Sequence, residues 1–278
     1  METDARGAEA PALPIRTLRL SSPPNSFMDH VVLILVGEGP GILIDAGYAE
    51  GADETLAWLK EAAADGPGLL LLTHHHHDHF GGAEAVLART GAPARAHPRE
   101  IALMAEKRPG VEVLPIEGGE RVRMGGVELE AVLTPGHSPG HLAFWWAERR
   151  VLFGGDNVLG EITTWVGPPH GNLRDFLASV ERVRDLAPEV IYPGHGPPLR
   201  NPGERIGEIL RHRARREEQV LEALAEGLDT PERIAGRIYA GMEERVVAMG
   251  ATMVVSHLEK LIEEGRVRAG EGKYLLTV

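Results

Sequence analysis

The 278 residues predict a layered α/β or α+β domain followed by a smaller, mostly helical unit. Three observations carry that reading. From about residue 14 to residue 200, short apolar runs alternate with helical stretches. Some of these runs, such as LLLLT at 69–73, are apolar without a break, as strands covered on both faces are. After NPGE at 201–204 the pattern changes to long amphipathic helices. Residues 15–202 therefore form the first domain and 203–278 the second, while 1–14 read as a disordered tail rich in Ala, Pro, Gly and acid.

The elements follow in order. VVLILVG (31–37) and GILIDAG (41–47) face each other across a glycine-rich turn, a hairpin signal. ETLAWLKEAAAD (54–65) sets Leu56, Leu59 and Ala63 at helical spacing, with Gly66 as the stop. LLLLT is a buried strand. GGAEAVLART, ended by Gly91, and PREIALMAEKRPG are helices. VEVLPI, ERVRM and VELEAVLT read as two hairpin-like segments. HLAFWWA and RRVLFGGD are strands, LRDFLASVERVRDL is a helix and EVIYPGHG a further strand. In the tail, RIGEILRHRARREEQVLEALAEG carries Ile206, Ile209, Leu210, Val220, Leu221 and Leu224 as apolar positions. A second helix starts at Pro231, capped by Asp229 or Thr230, and a third spans EERVVAMGATMVVSHLEKLIEEG. RVRAGEGKYLLTV closes the chain as two short strands about a glycine turn. Three helices and a hairpin is the order of a winged-helix unit.

Composition removes several chemistries. There is no cysteine, which excludes disulfides, thiol nucleophiles, Cys-type zinc fingers and iron–sulfur ligation. The formal charge of −12 argues against a whole-surface attraction to nucleic acid or anionic membrane. No apolar run reaches the roughly 18 residues of a membrane span, and the N-terminus lacks the apolar core of a signal peptide. A cytoplasmic location is expected.

Chemistry concentrates in histidine. Five of the 13 fall within six residues: His74, His75, His76, His77 and His79. An affinity tag would not sit inside the chain directly after a buried strand, nor be interrupted by Asp78. In an extended segment His74 and His76 share one side, and His75 and His77 point away. Three more apolar runs end the same way: VLTPG precedes His137, VLFGG precedes Asp156 and VIYPG precedes His195. Glycine permits the sharp turn that aims each side chain off a strand end. The seven imidazoles and carboxylates are too many for one tetrahedral ion and suit two metals with a carboxylate between them.

THHHHDHFGG, TPGHSPGH, FGGD and PGHG, in this order, resemble the metallo-β-lactamase superfamily over roughly residues 14–200. The resemblance implies an αββα four-layer sandwich with a dinuclear site at one edge. It implies that His74, His76 and His137 hold one metal, that Asp78, His79 and His195 hold the second, and that Asp156 bridges them. Asp45, in ILIDAG, would orient a ligand imidazole. The tail is similar to the winged-helix tail of β-lactamase-like hydrolases, a group that includes a single-strand endoribonuclease and acyl-carrier-protein thioesterases. One departure is DHVVLILVG, where that branch carries a Thr-Asn pair shortly before the strand. The absence of a cysteine at the bridging position argues against antibiotic hydrolysis.

The expected cofactors are two zinc ions, with manganese or iron as alternatives. A hydroxide held between them would attack the substrate, with Asp78 orienting it as the catalytic residue. His141 reads as a buried, hydrogen-bonded histidine beside the site. His75 and His77 are expected on the surface or behind the ligands. Phe27, Met28, Trp165 and His170 are candidate pocket residues, and His257 is a packing residue. His212 with its arginines reads by motif alone as a nucleic-acid patch, and with Glu217 and Glu218 following at once at least as readily as a solvated helix face. Residues 203–278 carry 12 Lys and Arg against 14 Asp and Glu, which gives no help to a DNA-binding role. A dimerisation or substrate-gating role fits the tail better. The expected substrate is a carboxylic ester or thioester. The alternatives are a single-stranded RNA endonuclease with the same centre and a non-catalytic winged-helix DNA-binding regulator.

Overall fold

A computed structural model describes residues 14–24, 26, 28–63 and 66–277. The tail up to residue 13 and the candidate pocket residue Phe27 lie outside the described residues.

Two six-stranded sheets form the centre. The first runs in the order β1 (Ile15–Ser21), β2 (His30–Val36), β3 (Ile42–Ile44), β4 (Leu69–Leu71), β5 (Ala94–Ala96) and β6 (Leu114–Pro115). The second comprises β7 (Arg121–Met124), β8 (Val127–Leu133), β9 (Leu142–Trp146), β10 (Val151–Gly155), β11 (Val190–Pro193) and β12 (Leu199–Arg200), and its spatial order is the reverse of its chain order. Side chains alternate faces along a strand, and that alternation sorts them into separate cores. Ile34, Val36, Ile42, Ile44, Leu69 and Leu71 meet Leu142, Phe144, Val151 and Phe153 between the sheets. Their neighbours Leu33, Leu35, Leu43, Leu70 and Leu72 face outward. There they meet Leu59 of α1 (Ala52–Ala62), Phe80 of α2 (His77–Phe80), Val86 of α3 (Ala83–Thr90) and Met104 of α4 (Pro98–Lys107). On the other side Trp145, Leu152 and Ile191 pack on Phe176 and Val180 of α5 (Leu173–Leu186) and on Ile206 and Ile209 of α6 (Gly203–Ala225). The result is the four-layer αββα sandwich.

Strand direction places the site. β3, β4 and β5 are parallel, with Ile44 opposite Leu71, so Asp45 and His74 leave the first sheet at the same edge. β10 and β11 are parallel too, which brings Asp156 and His195 off the second sheet together. His137 lies in the turn from β8 to the antiparallel β9 and returns to that edge. Ligands gather outside the carboxyl ends of parallel strands because the connecting turns there are free to carry them.

The structure corrects the reading of 111–134. Only ERVRM and VELEAVLT pair as a hairpin. The VEVLPI segment supplies β6, which pairs in parallel with β5 in the other sheet. Pairing partners that are distant in sequence leave no local signature. β1 follows Pro14, pairs antiparallel with β2 and was not apparent from the alternating IRTLRLS.

The tail contains α6, α7 (Pro231–Ile238), α8 (Glu244–Glu263) and the hairpin β13 (Val267–Gly270) with β14 (Lys273–Leu276). Thr230 caps α7 by accepting the Arg233 N–H, and Pro231 occupies the first turn. Val220, Leu224, Ile234, Val254, Leu258, Leu261 and Val267 form a core of their own. α6 therefore contributes its first turns to the sandwich and its last turns to the tail. Arg213, at the middle of this helix, is buried, so the RHRARR segment is not a uniformly solvated face. No helix among the described residues is long and apolar enough to cross a membrane.

Candidate metal centre

The seven residues expected from the sequence converge at one edge of the sandwich. His74, His76 and His137 form one group; Asp78, His79 and His195 form another; and His74, His79 and Asp156 form a third, with the potential ligand atoms in each lying within 4.8 Å of one another. In the first group His74 Nε2 lies 3.0 Å from His76 Nδ1 and 3.2 Å from His137 Nε2, and His137 Nε2 lies 3.0 Å from His76 Nδ1. In the second, His195 Nε2 is 3.4 Å from Asp78 Oδ2, and His79 Nε2 is 3.8 Å from the same oxygen. Asp156 spans both. Its Oδ1 is 3.4 Å from His79 Nε2, and its Oδ2 is 3.4 Å from His195 Nε2 and 3.6 Å from His137 Nε2.

Four rings are held from behind. His79 Nδ1–H donates to Asp45 Oδ2 at 2.7 Å. Asp45 also accepts the Thr73 N–H at 2.8 Å and the Thr73 hydroxyl. With its hydrogen committed to Asp45, Thr73 Oγ1 accepts from His74 Nδ1–H at 2.9 Å. His137 Nδ1–H donates to the Trp165 carbonyl at 2.7 Å, and His195 Nδ1–H to the His30 carbonyl at 2.5 Å. Each Nδ1 is thereby protonated and each Nε2 turned inward. Asp45 does this from a left-handed backbone, φ 61°, which a short polar residue tolerates.

Burial favours the neutral form of His74 and of His137, holding both below the ordinary imidazole range, and neighbouring imidazoles add to the effect at His74. His76 is lowered in the same way, by burial and His137. The other group behaves oppositely. Burial opposes the charge on His195, but Asp156 and Asp78 outweigh it and push the ring up to about 10. At His79, burial is likewise overcome by Asp156, Asp45 and Asp78. Asp78 and Asp156 stay ionised against burial through His79 and His195.

These donors fit a pair of cations. Two bare Nε2 lone pairs, those of His74 and His137, face each other at 3.2 Å, an arrangement that is repulsive without a positive charge between them. Asp156 Oδ1 is buried with no hydrogen-bond donor. Ligands about 2.1 Å from a tetrahedral ion stand about 3.4 Å apart, close to the separations within the cluster.

The remaining expected residues divide. His141 is buried; its Nδ1 pairs with Thr134 Oγ1 at 2.8 Å, and its Nε2 accepts the Asp156 N–H at 3.1 Å. Burial, with His137 adding to it, lowers its pKa to about 3, which keeps Nε2 an acceptor. His77 is exposed. His75 is fully buried and turned away from the cluster, paired with Glu100, whose other oxygen accepts the Gly140 N–H at 2.7 Å. Met28 lines a cavity of about 310 Å³ beside His195, with Asp29, His30, Leu159, Glu161 and Ile162. His170 is exposed, its ring edge-on to His75 at 5.3 Å, and does not line that cavity. Trp165 contributes its carbonyl to His137 and its indole N–H to Thr252 Oγ1 at 3.1 Å.

His30 and Glu100 were not singled out from the sequence. Besides its carbonyl, His30 offers Nε2 to the Gly196 N–H at 2.9 Å and pairs Nδ1 with Asp29. The one signal was the departure at DHVVLILVG, the segment that contains Asp29 and His30.

Comparison with known proteins agrees with this geometry. The family model "Metallo-beta-lactamase superfamily" matches residues 27–195, and "Beta-lactamase associated winged helix domain" matches residues 230–273. The chain belongs to the metallo-β-lactamase superfamily and is a hydrolase of that class, with a His/Asp cluster suited to divalent metals. It is 31% identical to a Beta-lactamase-like protein 2 homolog of Caenorhabditis elegans, over 84% of this chain and 79% of the relative. It is 32% identical to an atrochrysone carboxyl ACP thioesterase of Emericella nidulans, over 84% of this chain and 74% of that protein. A metallo-beta-lactamase family protein from Thermus thermophilus superposes with a TM-score of 0.82 at 26% identity, covering 95% of this chain and 99% of the other. TTHA1623, solved in a di-iron-bound form, superposes with a TM-score of 0.55 at 27% identity, over 67% of this chain and 96% of that one.

Proposed function

We propose that the protein hydrolyses a carboxylic ester or thioester with two divalent metal ions, zinc first and iron or manganese as alternatives. The observation that carries this is Asp156, whose two oxygens reach His79 on one side and His137 and His195 on the other. His74, His76 and His137 would hold one ion, and Asp78, His79 and His195 the other. The di-iron form of TTHA1623 supports a pair. When bound, such ions lower the pKa of a water toward about 7 and polarise the substrate oxygen.

The chain's own residues do the rest. Asp45, Thr73 and the carbonyls of Trp165 and His30 fix the imidazoles, so little reorganisation is needed during reaction. The Asp78 carboxylate, largely buried at the mouth of the cluster, accepts the hydrogen bond of the attacking water and orients it. The cavity beside His195 offers Met28, Leu159 and Ile162 to an apolar acyl group. Its carboxylates, Asp29 and Glu161, disfavour a polyanion, which would need a basic track. The thioesterase among the relatives supports an acyl substrate. The cytoplasm is the location this reading carries with it, and a homo-oligomer, should one form, would be joined through the C-terminal unit.

The test is a paired assay of metal-loaded protein. One arm offers acyl thioesters of coenzyme A, glutathione and carrier protein, and the other labelled single-stranded RNA. Thioester turnover that His76→Ala abolishes, together with bound metal, is expected. RNA cleavage abolished by the same substitution, with no thioester turnover, would replace the acyl reading by the endonuclease one.

A further inference from the structure

The chain between β10 and α5 forms no helix or strand from 156 to 172, so several of its carbonyls take donors from elsewhere. The C-terminal unit provides them. Arg205 of α6 donates from Nε to the Leu159 carbonyl at 2.8 Å and from Nη2 to the Ile162 carbonyl at 2.7 Å. Arg213, two turns further on, donates to the Thr164 carbonyl. Thr252 of α8 accepts the Trp165 indole N–H at 3.1 Å, while its own hydroxyl donates to the Met249 carbonyl at 2.7 Å. The next link is the Trp165 carbonyl, 2.7 Å from His137 Nδ1.

We propose that the C-terminal unit is a positioning element of the metal centre: Arg205, Arg213 and Thr252 clamp the 159–165 segment so that the Trp165 carbonyl fixes the ring of His137. This rests on the reading of His74, His76 and His137 as metal ligands. Trp165 turns its indole N–H toward the tail and its carbonyl toward the site. Arg213 is 2% exposed and lies over the Phe176 ring, 5.4 Å from its centroid. A buried guanidinium is costly to keep, whereas an apolar side chain there would leave the Thr164 carbonyl without a donor. The planar fork of Arg205 serves two carbonyls of an irregular segment at once, those of Leu159 and Ile162, while Arg213 serves the Thr164 carbonyl alone. The tail thus reaches a metal ligand without contributing one.

The experiment uses the full chain loaded with cobalt(II), whose visible absorption reports ligand geometry. Thr252→Val and Trp165→Phe each remove one partner of the indole–hydroxyl bond and leave the Trp165 carbonyl in the backbone. Each is expected to weaken one cobalt site about tenfold, to alter the absorption of that ion and to leave the second site unchanged. Thr252→Ser restores the hydroxyl and should restore the first site. The metal-free melting temperature should not move with Thr252→Val. Two unchanged cobalt sites in both variants would overturn the proposal, as would equal weakening of both sites with a lowered metal-free melting temperature. Failure of Thr252→Ser to rescue would overturn it too. Wild-type protein that binds no cobalt would instead refute the metal reading on which it rests.

Discussion

Replacing Asp45 by Asn changes one oxygen to an amide nitrogen and leaves the size and the left-handed backbone preference nearly intact. The carboxylate accepts three hydrogens: the Thr73 N–H, the Thr73 hydroxyl and His79 Nδ1–H. An amide has one acceptor oxygen, so one of these donors must face an N–H. If the oxygen stays with Thr73, the amide nitrogen faces His79 Nδ1–H, and the ring loses both its anchor and the negative charge that makes Nε2 a stronger donor to a cation. If the amide flips, Thr73 turns its hydroxyl and the loss passes to His74. Either route acts on a ligand from behind, for which a cost of about 10- to 100-fold in metal affinity is expected, or about 1.4 to 2.7 kcal/mol. Competition with a chromogenic chelator measures it, with far-UV circular dichroism confirming the fold. Asp45→Ala should cost more, since it strands all three donors and puts a β-carbon without a compensating polar group at positive φ. Wild-type metal affinity in Asp45→Asn would refute the view that Asp45 governs the His79 and His74 rings.

Gly136→Ala should destabilise the protein by about 2 to 4 kcal/mol and empty the centre, because Gly136 has φ 127° and an added methyl would strike the Phe176 backbone beside His137; Gly110→Ala, at an open position, should change neither the melting temperature nor the metal content. His257 is buried with both ring nitrogens unpartnered, and burial, followed by Arg213 and Arg216, lowers its pKa to about 3. The unfolded chain therefore takes up a proton that the folded chain refuses, and this histidine's share of stability, complete above about pH 6.5, falls by about 1.4 kcal/mol per pH unit as pH drops toward the folded pKa. His257→Leu should be more stable than wild type at pH 7 in urea titrations and should lose that acid-side slope; an unchanged slope between pH 6 and 5 would count against the assignment.

The seven clustered residues were legible because each follows an apolar strand and a tight turn, a pattern that survives in one dimension. The four-layer sandwich was legible through the motifs that carry the family resemblance. What supports the cluster was less so. Two of the groups that orient imidazoles are backbone carbonyls, of Trp165 and His30, and a carbonyl has no letter in the sequence. Glu100 looks like one more acid on an amphipathic helix, yet it is fully buried against His75 and Gly140. Arg213 was hidden for a similar reason. Its charge and its neighbours suggest solvent, and only the carbonyl of Thr164 reveals why it is inside. The pairing of β6 with β5 joins positions about twenty residues apart, which periodicity cannot report.

The shared helix α6 also bears on how such a chain can be recombined. Ile206 and Ile209 complete the sandwich's outer core, while Val220 and Leu224 begin the tail's. A graft joined at Gly203 would import foreign side chains into the first of these cores and remove Arg205 and Arg213 from the 159–165 segment. A seam after Arg213, within the helix, would keep that core and both arginines in place and leave only Thr252 for the incoming unit to supply. Exchange of the C-terminal unit between homologues is therefore constrained to a crossover inside a continuous helix, and the turn that looks like a natural hinge is the wrong place to cut.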